Sequence, residues 1–406
     1  MIERVAKILE EPVCDHCLGR QFSQLLSGYS NGERGAALRK AIAMAIDSGE
    51  LGHEKIDPSN FHGFRFRMAK DFRPAEAKEC AVCSGFFQNI GKIAEKIAKK
   101  VEGLEFRTFL VGTTPSKALL EKEEKLWERI GIEYCEPFKA ESNREIGKLL
   151  ERRLRRRAEL KKPDVSIIIN LEDDRISVKP NPLYIFGYYK KLVRGMPQCM
   201  WGTPGKYRTS VEQIIAKPVM KMTRGMEHKF HGAGREDIDA LCLDWRGFVL
   251  EIVSPKKRSI DLGAVERAVN KTGKVEVKGL KISDMETVRR IKAAANDKTY
   301  RLLVLLDKPV KKGDLSKLSK LKGEIMQQTP ERVLHRRADL TRKRVVKAIS
   351  WKQLGPKKIE VIVKGTAGLY VKELVSGDRG RTRPSVAEIL GVPAKVKYLD
   401  VIEIGK

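Results

Sequence analysis

The chain has 406 residues, with 81 Lys and Arg against 53 Asp and Glu and a formal net charge of +28. Such an excess disfavours a small-molecule enzyme and points to a polyanionic partner, nucleic acid before an anionic membrane surface. No apolar run reaches the roughly eighteen residues of a membrane span, and residues 1–20 lack a signal peptide's apolar core, so a cytoplasmic protein with no membrane association is expected.

The cysteines fall into two pairs and three singles (Cys135, Cys199, Cys242), which argues against a disulfide framework. Cys14-Asp15-His16-Cys17 and Cys80-Ala81-Val82-Cys83 are two C-x-x-C knuckles. Four thiolates at this spacing suit a tetrahedral ion with a closed shell, so a structural Zn2+ is expected, with His16 a neighbour rather than a ligand. A redox pair is the rival, but no thioredoxin-like context surrounds either knuckle. The long interval between them reads as a helical insertion, with a helix over Arg34–Asp47 burying Ala36, Leu38, Ala41, Ile42 and Ala45.

Next come a basic amphipathic helix (Ile90–Val101), a strand (Phe106–Val111) and a second helix (Leu119–Ile130). Ser142-Asn143-Arg144-Glu145 reads as a capping box opening a helix that runs into five arginines within 152–157. A charge run is commonly a solvated face. This density favours phosphate contact, and Arg152, Arg153, Arg155 and Arg156 are the candidate RNA-binding residues. Strands follow at Val165–Leu171 and Ile176–Lys179. Tyr184, Phe186, Tyr188 and Tyr189 then interleave with Lys190, Lys191 and Arg194, a pattern that suits base stacking and equally suits a strand packed on a core. Pro197–Lys206 reads as a linker. Ser210 caps a short helix from Val211 that Pro218 should end or kink.

Gly234-Arg235-Glu236-Asp237-Ile238-Asp239 then enters a strand, Ala240–Leu243. A polar turn at Asp244-Trp245-Arg246-Gly247 and a second strand, Phe248–Val253, complete an expected hairpin. Alone, the acidic cluster would be a solvated turn. Residues 256–295 show a helix over Asp284–Ala294, short turns before it and no motif. Neither a P-loop nor a dinucleotide fingerprint occurs, so no organic cofactor is expected.

The strand Lys162-Pro163-Asp164-Val165 onward and the aromatic run after it resemble a THUMP domain, an RNA-binding module of tRNA-modifying enzymes, over roughly 85–195. The acidic motif resembles the central motif of pseudouridine synthases. Asp297-Lys298-Thr299-Tyr300-Arg301 at the head of the strand Leu302–Leu306, Gly365-Thr366-Ala367-Gly368-Leu369-Tyr370-Val371-Lys372-Glu373-Leu374, and Lys397-Tyr398-Leu399-Asp400-Val401 match its companions. With the four cysteines, nearly the whole chain resembles the tenth pseudouridine synthase family of archaea and eukaryotes. One departure stands: Asp239–Asp244 lacks the basic residue and glycines expected just after the acidic motif.

The resemblance implies an α+β fold in three parts: a zinc-bearing element with a helical insertion (1–84), a THUMP-like RNA-binding domain (85–205) and a catalytic domain with a mixed, largely antiparallel sheet (206–406). It implies Asp237 as nucleophile, Lys372 as the base paired with it, and Asp239 in a structural role. A carboxylate attacks only when ionised, and a nearby cation favours that form. It further implies a substrate-binding set. Tyr300 would stack on the flipped base and act in proton transfer, Val371 and Leu399 would form the apolar wall, Arg235 would contact phosphate or backbone, and Tyr370 would pack rather than catalyse. The implied substrate is tRNA, at uridine-55 and uridine-54 of the TΨC arm, with no protein partner and a monomeric state. The rivals are another THUMP-bearing tRNA enzyme, which would need a nucleotide or methyl-donor site, and a non-enzymatic zinc-bearing RNA-binding or ribosome-assembly factor.

Overall fold

Two units divide the chain, Met1–Asn181 and Pro182–Lys406. The computed structural model describes residues 1–200 and 206–405, so residues 201–205 of the expected linker lie outside it.

The first unit runs α1 (Ile2–Ile8), α2 (Asp15–Gly19), α3 (Asn31–Asp47), α4 (Phe86–Lys100), β1 (Thr108–Thr114), α5 (Lys117–Ile130), α6 (Phe138–Leu154), β2 (Arg157–Ala158), β3 (Val165–Asn170) and β4 (Arg175–Pro180). Its sheet has the order β2-β1-β3-β4, parallel except for β4. Alternation puts Phe109, Val111, Ile167 and Ile169 on one buried face, which shares a core with Ile97, Ile146 and Leu150 and with Cys17, Cys80, Phe86 and Phe87. The cysteine element and the THUMP-like region therefore share one core and are not separate domains at residue 84.

Helix α3 buries Ile42 as expected, but Ala36, Leu38, Ala41 and Ala45 are only partly buried. Gly35, Arg39, Ile42, Ala43 and Ile46 face inward, and Arg39 satisfies Asp15 Oδ1 at 2.7 Å and the Val13 carbonyl at 2.7 Å. The capping box expected at Ser142 lies inside α6, which starts after Pro137. The first N–H of that helix, on Phe138, donates to the buried Glu123 carboxylate at 2.8 Å, so a neighbouring helix does the capping.

The second unit runs β5 (Leu183–Lys191), α7 (Val211–Thr223), β6 (Glu227–Gly232), β7 (Leu241–Val253), α8 (Leu262–Asn270), β8 (Val275–Ser283), α9 (Met285–Ala293), β9 (Lys298–Leu306), β10 (Gly323–Gln328), β11 (Thr341–Gly355), β12 (Lys358–Gly365), α10 (Val371–Ser376), β13 (Thr382–Arg383), α11 (Val386–Leu390) and β14 (Ala394–Ile404). These strands form one ten-stranded sheet, β13-β10-β11-β12-β9-β14-β7-β5-β8, with β6 also on β7. Among the described residues only the β7–β14 pair is parallel, so the sheet is mixed and largely antiparallel.

Four expectations fail here. The aromatic run placed in the THUMP-like domain is β5, a strand between β7 and β8, so the boundary falls at 181/182 and not at 205. The expected hairpin is one continuous strand, because β5 pairs with β7 on both sides of the polar stretch, which bulges opposite Lys190, and Arg246 is buried. Helix α7 runs through Pro218, since Val211, Ile215, Ala216 and Val219 pack together into the core. Residues 256–295 contain α8 and the edge strand β8 as well as α9.

Candidate active site and metal centre

The acidic motif spans the turn from β6 into β7. Gly234 takes φ +82°, a conformation glycine adopts without a Cβ penalty. Glu236 points inward, bound by the Tyr189 hydroxyl at 2.9 Å and paired with Arg246 at 3.3 Å, all buried. Lys191, also buried, donates to the carbonyls of Met196 (2.9 Å), Asp237 (2.9 Å) and Ile238 (3.2 Å). Burial pulls its pKa below the usual lysine range. Arg194 donates to the Asp239 carbonyl at 2.9 Å and the Leu399 carbonyl at 3.0 Å, tying the turn to β14. The cations read as RNA contacts in the sequence thus include two, Lys191 at the end of β5 and Arg194 just after it, that brace the acidic turn from below.

Held this way, Asp237 presents a carboxylate that is 37% exposed. Lys372 of α10 reaches Asp237 Oδ2 at 3.4 Å and both Asp239 oxygens at 2.8 Å. The expected pairing with Asp237 is therefore shared, and Asp239 is the closer partner. Burial would raise the Asp239 pKa, but the Lys372 hydrogen bond and charge outweigh it and lower the carboxyl. A second cation stands on the other oxygen: Arg332 Nη1 lies 3.7 Å from Asp237 Oδ1. Arg332 is aimed by the buried Glu373, whose Oε1 accepts from Nε at 2.7 Å. Sequence reading missed both; a carboxylate directly after Lys372 was the available signal.

Tyr300 on β9 stands opposite Val401 on β14 and Val363 on β12, two residues before Leu302, which pairs with Leu399. Tyr300 and Leu399 are thus neighbours on one face. Burial, with a further push from Asp237, raises the Tyr300 phenol to about 12. Val371 and Leu399 are buried members of the core. Tyr370 caps α10, and its hydroxyl accepts from Arg337 at 3.0 Å. Arg235 is exposed on the turn. His228 and His231 are engaged by Glu212 (3.1 Å) and Glu251 (2.8 Å).

In the first unit the Sγ atoms of Cys14, Cys17, Cys80 and Cys83 all lie within 4.8 Å of one another. Ser84 and Gly85, at φ +45° and +72°, turn the chain away after the second knuckle. Burial pushes the Cys17 thiol well up, so a thiolate there needs cations beside it. Arg20 Nη1 supplies one at 2.9 Å, and an ion among the four sulfurs would supply the rest. This donor set fits a tetrahedral metal. His16 turns away, bonded to Glu141 at 2.8 Å and stacked on Phe87. The arginine run leaves α6 at Arg155, the left-handed cap with φ +52°. Arg152, Arg153, Arg155 and Arg156 are all exposed, with Arg156 5.8 Å from the Phe106 ring centre.

The family model described as Pus10, C-terminal, matches residues 184–405, and the one described as Pus10 THUMP domain, archaeal, matches residues 93–170. The "tRNA pseudouridine synthase Pus10" of Methanothrix thermoacetophila is 37% identical, covering 100% of this chain and 94% of that protein. Its counterpart in Pyrococcus furiosus is 38% identical over 100% and 98%. Among solved structures, a chain of a Cbf5-Nop10-Gar1 complex aligns at 16% identity over 52% of this chain and 47% of that one. Its TM-score of 0.31 is too slight to bear on fold or function. A family model spanning the whole second unit, and relatives similar from end to end, place this chain in the Pus10 family of tRNA pseudouridine synthases, which are isomerases.

Proposed function

We propose that the second unit isomerises uridine-55, and uridine-54, in the TΨC arm of tRNA, with Asp237 as nucleophile. The observation that carries the reading is a half-exposed carboxylate held between two cations, Lys372 and Arg332, on a turn fixed from below by Lys191 and Glu236. The choice of uridines rests on the family resemblance.

The N1–C1′ bond breaks, the base rotates, a C5–C1′ bond forms, C5 loses its proton and N1 gains one, so no net redox or group transfer occurs. The Asp237 carboxylate attacks C1′ as the N1–C1′ bond breaks, the O–C1′ bond breaks in turn as C5 bonds C1′ and frees the carboxylate, and Lys372 and Arg332 compensate the carboxylate charge beforehand. The uridine leaves its stack to reach the site. Tyr300 stacks on it, with Leu399 and Val371 as the apolar wall. A phenol raised to about 12 is protonated at neutral pH, so Tyr300 accepts the C5 proton only as it passes on its own. Arg235 meets the phosphates from the rim of the turn, and Arg152, Arg153, Arg155 and Arg156 hold a more distant part of the tRNA. Cys14, Cys17, Cys80 and Cys83 hold a structural zinc ion, which supplies fold stability rather than chemistry.

The test is an unmodified tRNA transcript incubated with the protein and mapped for pseudouridine by carbodiimide primer extension. A stop in the TΨC arm is expected from the wild type. Asp237→Ala should abolish it while tRNA affinity stays within about tenfold, because phosphate contacts dominate affinity. Full activity in that variant would remove Asp237 from its role.

A further inference from the structure

Alternation along β5 sends Tyr189 and Lys191 to the braced face beneath Asp237 and sends Phe186, Tyr188 and Lys190 to the reverse face. Helix α9 covers part of that reverse face, burying Phe186 and Val249 with Val288 and Ile291, and the part towards Tyr188 and Trp245 has an organised surface of its own. Trp245 on β7 carries two lysine ammonium groups, Lys190 Nζ of the adjacent β5 at 4.3 Å and Lys278 Nζ of β8, one strand further on, at 4.2 Å from the ring centre. Lys281 Nζ stands 5.4 Å from the Phe186 ring. Phe186 meets Tyr188 edge-on at 5.1 Å. Tyr188 is 39% exposed, and glycines flank it: Gly247 directly opposite on β7, and Gly279 at the bulge of β8 with φ +64°. No side chain from those two positions covers its ring.

We infer that this reverse face of β5, β7 and β8 is a second RNA-binding surface, gripping a stretch of the same tRNA outside the catalytic turn. Free lysines lose rotamer freedom when they meet a phosphate. Here the rings already hold the ammonium groups in place, so less freedom is lost on binding. Glu276 at 3.5 Å from Lys190 is the one nearby acid paired with this set among the described residues; Lys278 and Lys281 are exposed. Between the cations lies an aromatic ring bordered by glycines, the form of a sequence-tolerant stacking slot for one unpaired base. Cations at the rim with an open ring between them fit a phosphate backbone with one splayed nucleotide. A bilayer would call for projecting aliphatic side chains instead.

This inference rests on tRNA being the substrate, and its test separates the two ideas. The full-length protein is titrated with tRNA over a range of salt concentrations, and single-turnover pseudouridine formation is measured at saturating protein. Changing Lys190, Lys278 and Lys281 together to Gln should reduce the slope of log affinity against log salt by about 2, since each lost phosphate contact removes roughly 0.7–0.9. Tyr188→Ala should weaken binding about tenfold with the slope unchanged, as loss of one stacked base predicts. Both variants should keep the wild-type single-turnover rate. Wild-type affinity and slope in both variants would overturn the inference, as would loss of binding to anionic vesicles with tRNA binding intact. A wild type that binds tRNA but makes no pseudouridine would sink the proposed activity and leave the slope comparison standing.

Discussion

At the scale of single residues, the site is decided by which groups face the Asp237 carboxylate. Lys372 is divided between two aspartates, and Arg332 stands on the oxygen Oδ1. Arg332→Met should therefore reduce the single-turnover rate by roughly 100- to 1,000-fold at saturating tRNA, the scale for losing one preorganised electrostatic partner, with binding little changed. An unchanged rate would make Arg332 a structural pair of Glu373 alone. Tyr300 gives a pH prediction. Its folded pKa, about 12, lies above the ordinary 10.0. The stability this shift represents is complete below about pH 10 and disappears as pH climbs through about 12. Wild type and Tyr300→Phe should therefore diverge in melting temperature across that interval, the wild type losing more, with the phenolate absorbance of Tyr300 appearing late.

At the scale of elements, the strands that carry the chemistry rest on a buried polar layer. Glu236 and Arg246 form an ion pair with neither side chain exposed. Glu236→Gln leaves the Arg246 charge uncompensated and should cost about 3–5 kcal/mol of stability in denaturant unfolding. A cost below about 1 kcal/mol would show that the turn is held by Tyr189 together with Gln198, whose Nε2 donates to the Tyr189 hydroxyl at 2.7 Å and to the Gly234 carbonyl at 3.0 Å. This layer marks the limit of sequence reading. Asp237, Tyr300, Lys372 and Leu399 were singled out because short motifs carry them, and the fold sets Asp237 beside Lys372 and Tyr300 beside Leu399. Lys191, Arg194 and Arg246 were read as RNA contacts or turn residues, because charge on a strand ordinarily means solvent and only the tertiary fold says otherwise. Asp244-Trp245-Arg246-Gly247 resembled a hairpin tip for the same reason. The helices over Leu119–Ile130 and Asp284–Ala294 were legible from their apolar periodicity, and the strands at Leu302–Leu306 and Lys397–Val401 from the motifs they carry, although β14 begins earlier, at Ala394. Strand β8 was not legible, since at the sheet edge it buries only Val275 and Val277 before Gly279 interrupts it.

At the scale of the whole molecule, each unit has its own source of stability. The first unit's core is continuous with its cysteine cluster. Stripping metal with a strong chelator, or Cys80→Ser, should open that unit to limited proteolysis and lower the bound zinc from one ion per chain. The second unit's protease-resistant core should be untouched. Full resistance of a metal-free first unit would show that its apolar core folds without the ion. The two units also meet within a single residue step, and this governs how the chain can be divided. A fragment starting at 206, where the Gly- and Pro-rich stretch invites a cut, would lose β5 from the interior of the sheet. Strands β7 and β8 would then each expose a long unpaired backbone edge, the ordinary route to edge-to-edge aggregation. A fragment starting at Pro182 keeps the strand and should escape that edge pairing, so that tRNA modification can be assayed with the first unit removed.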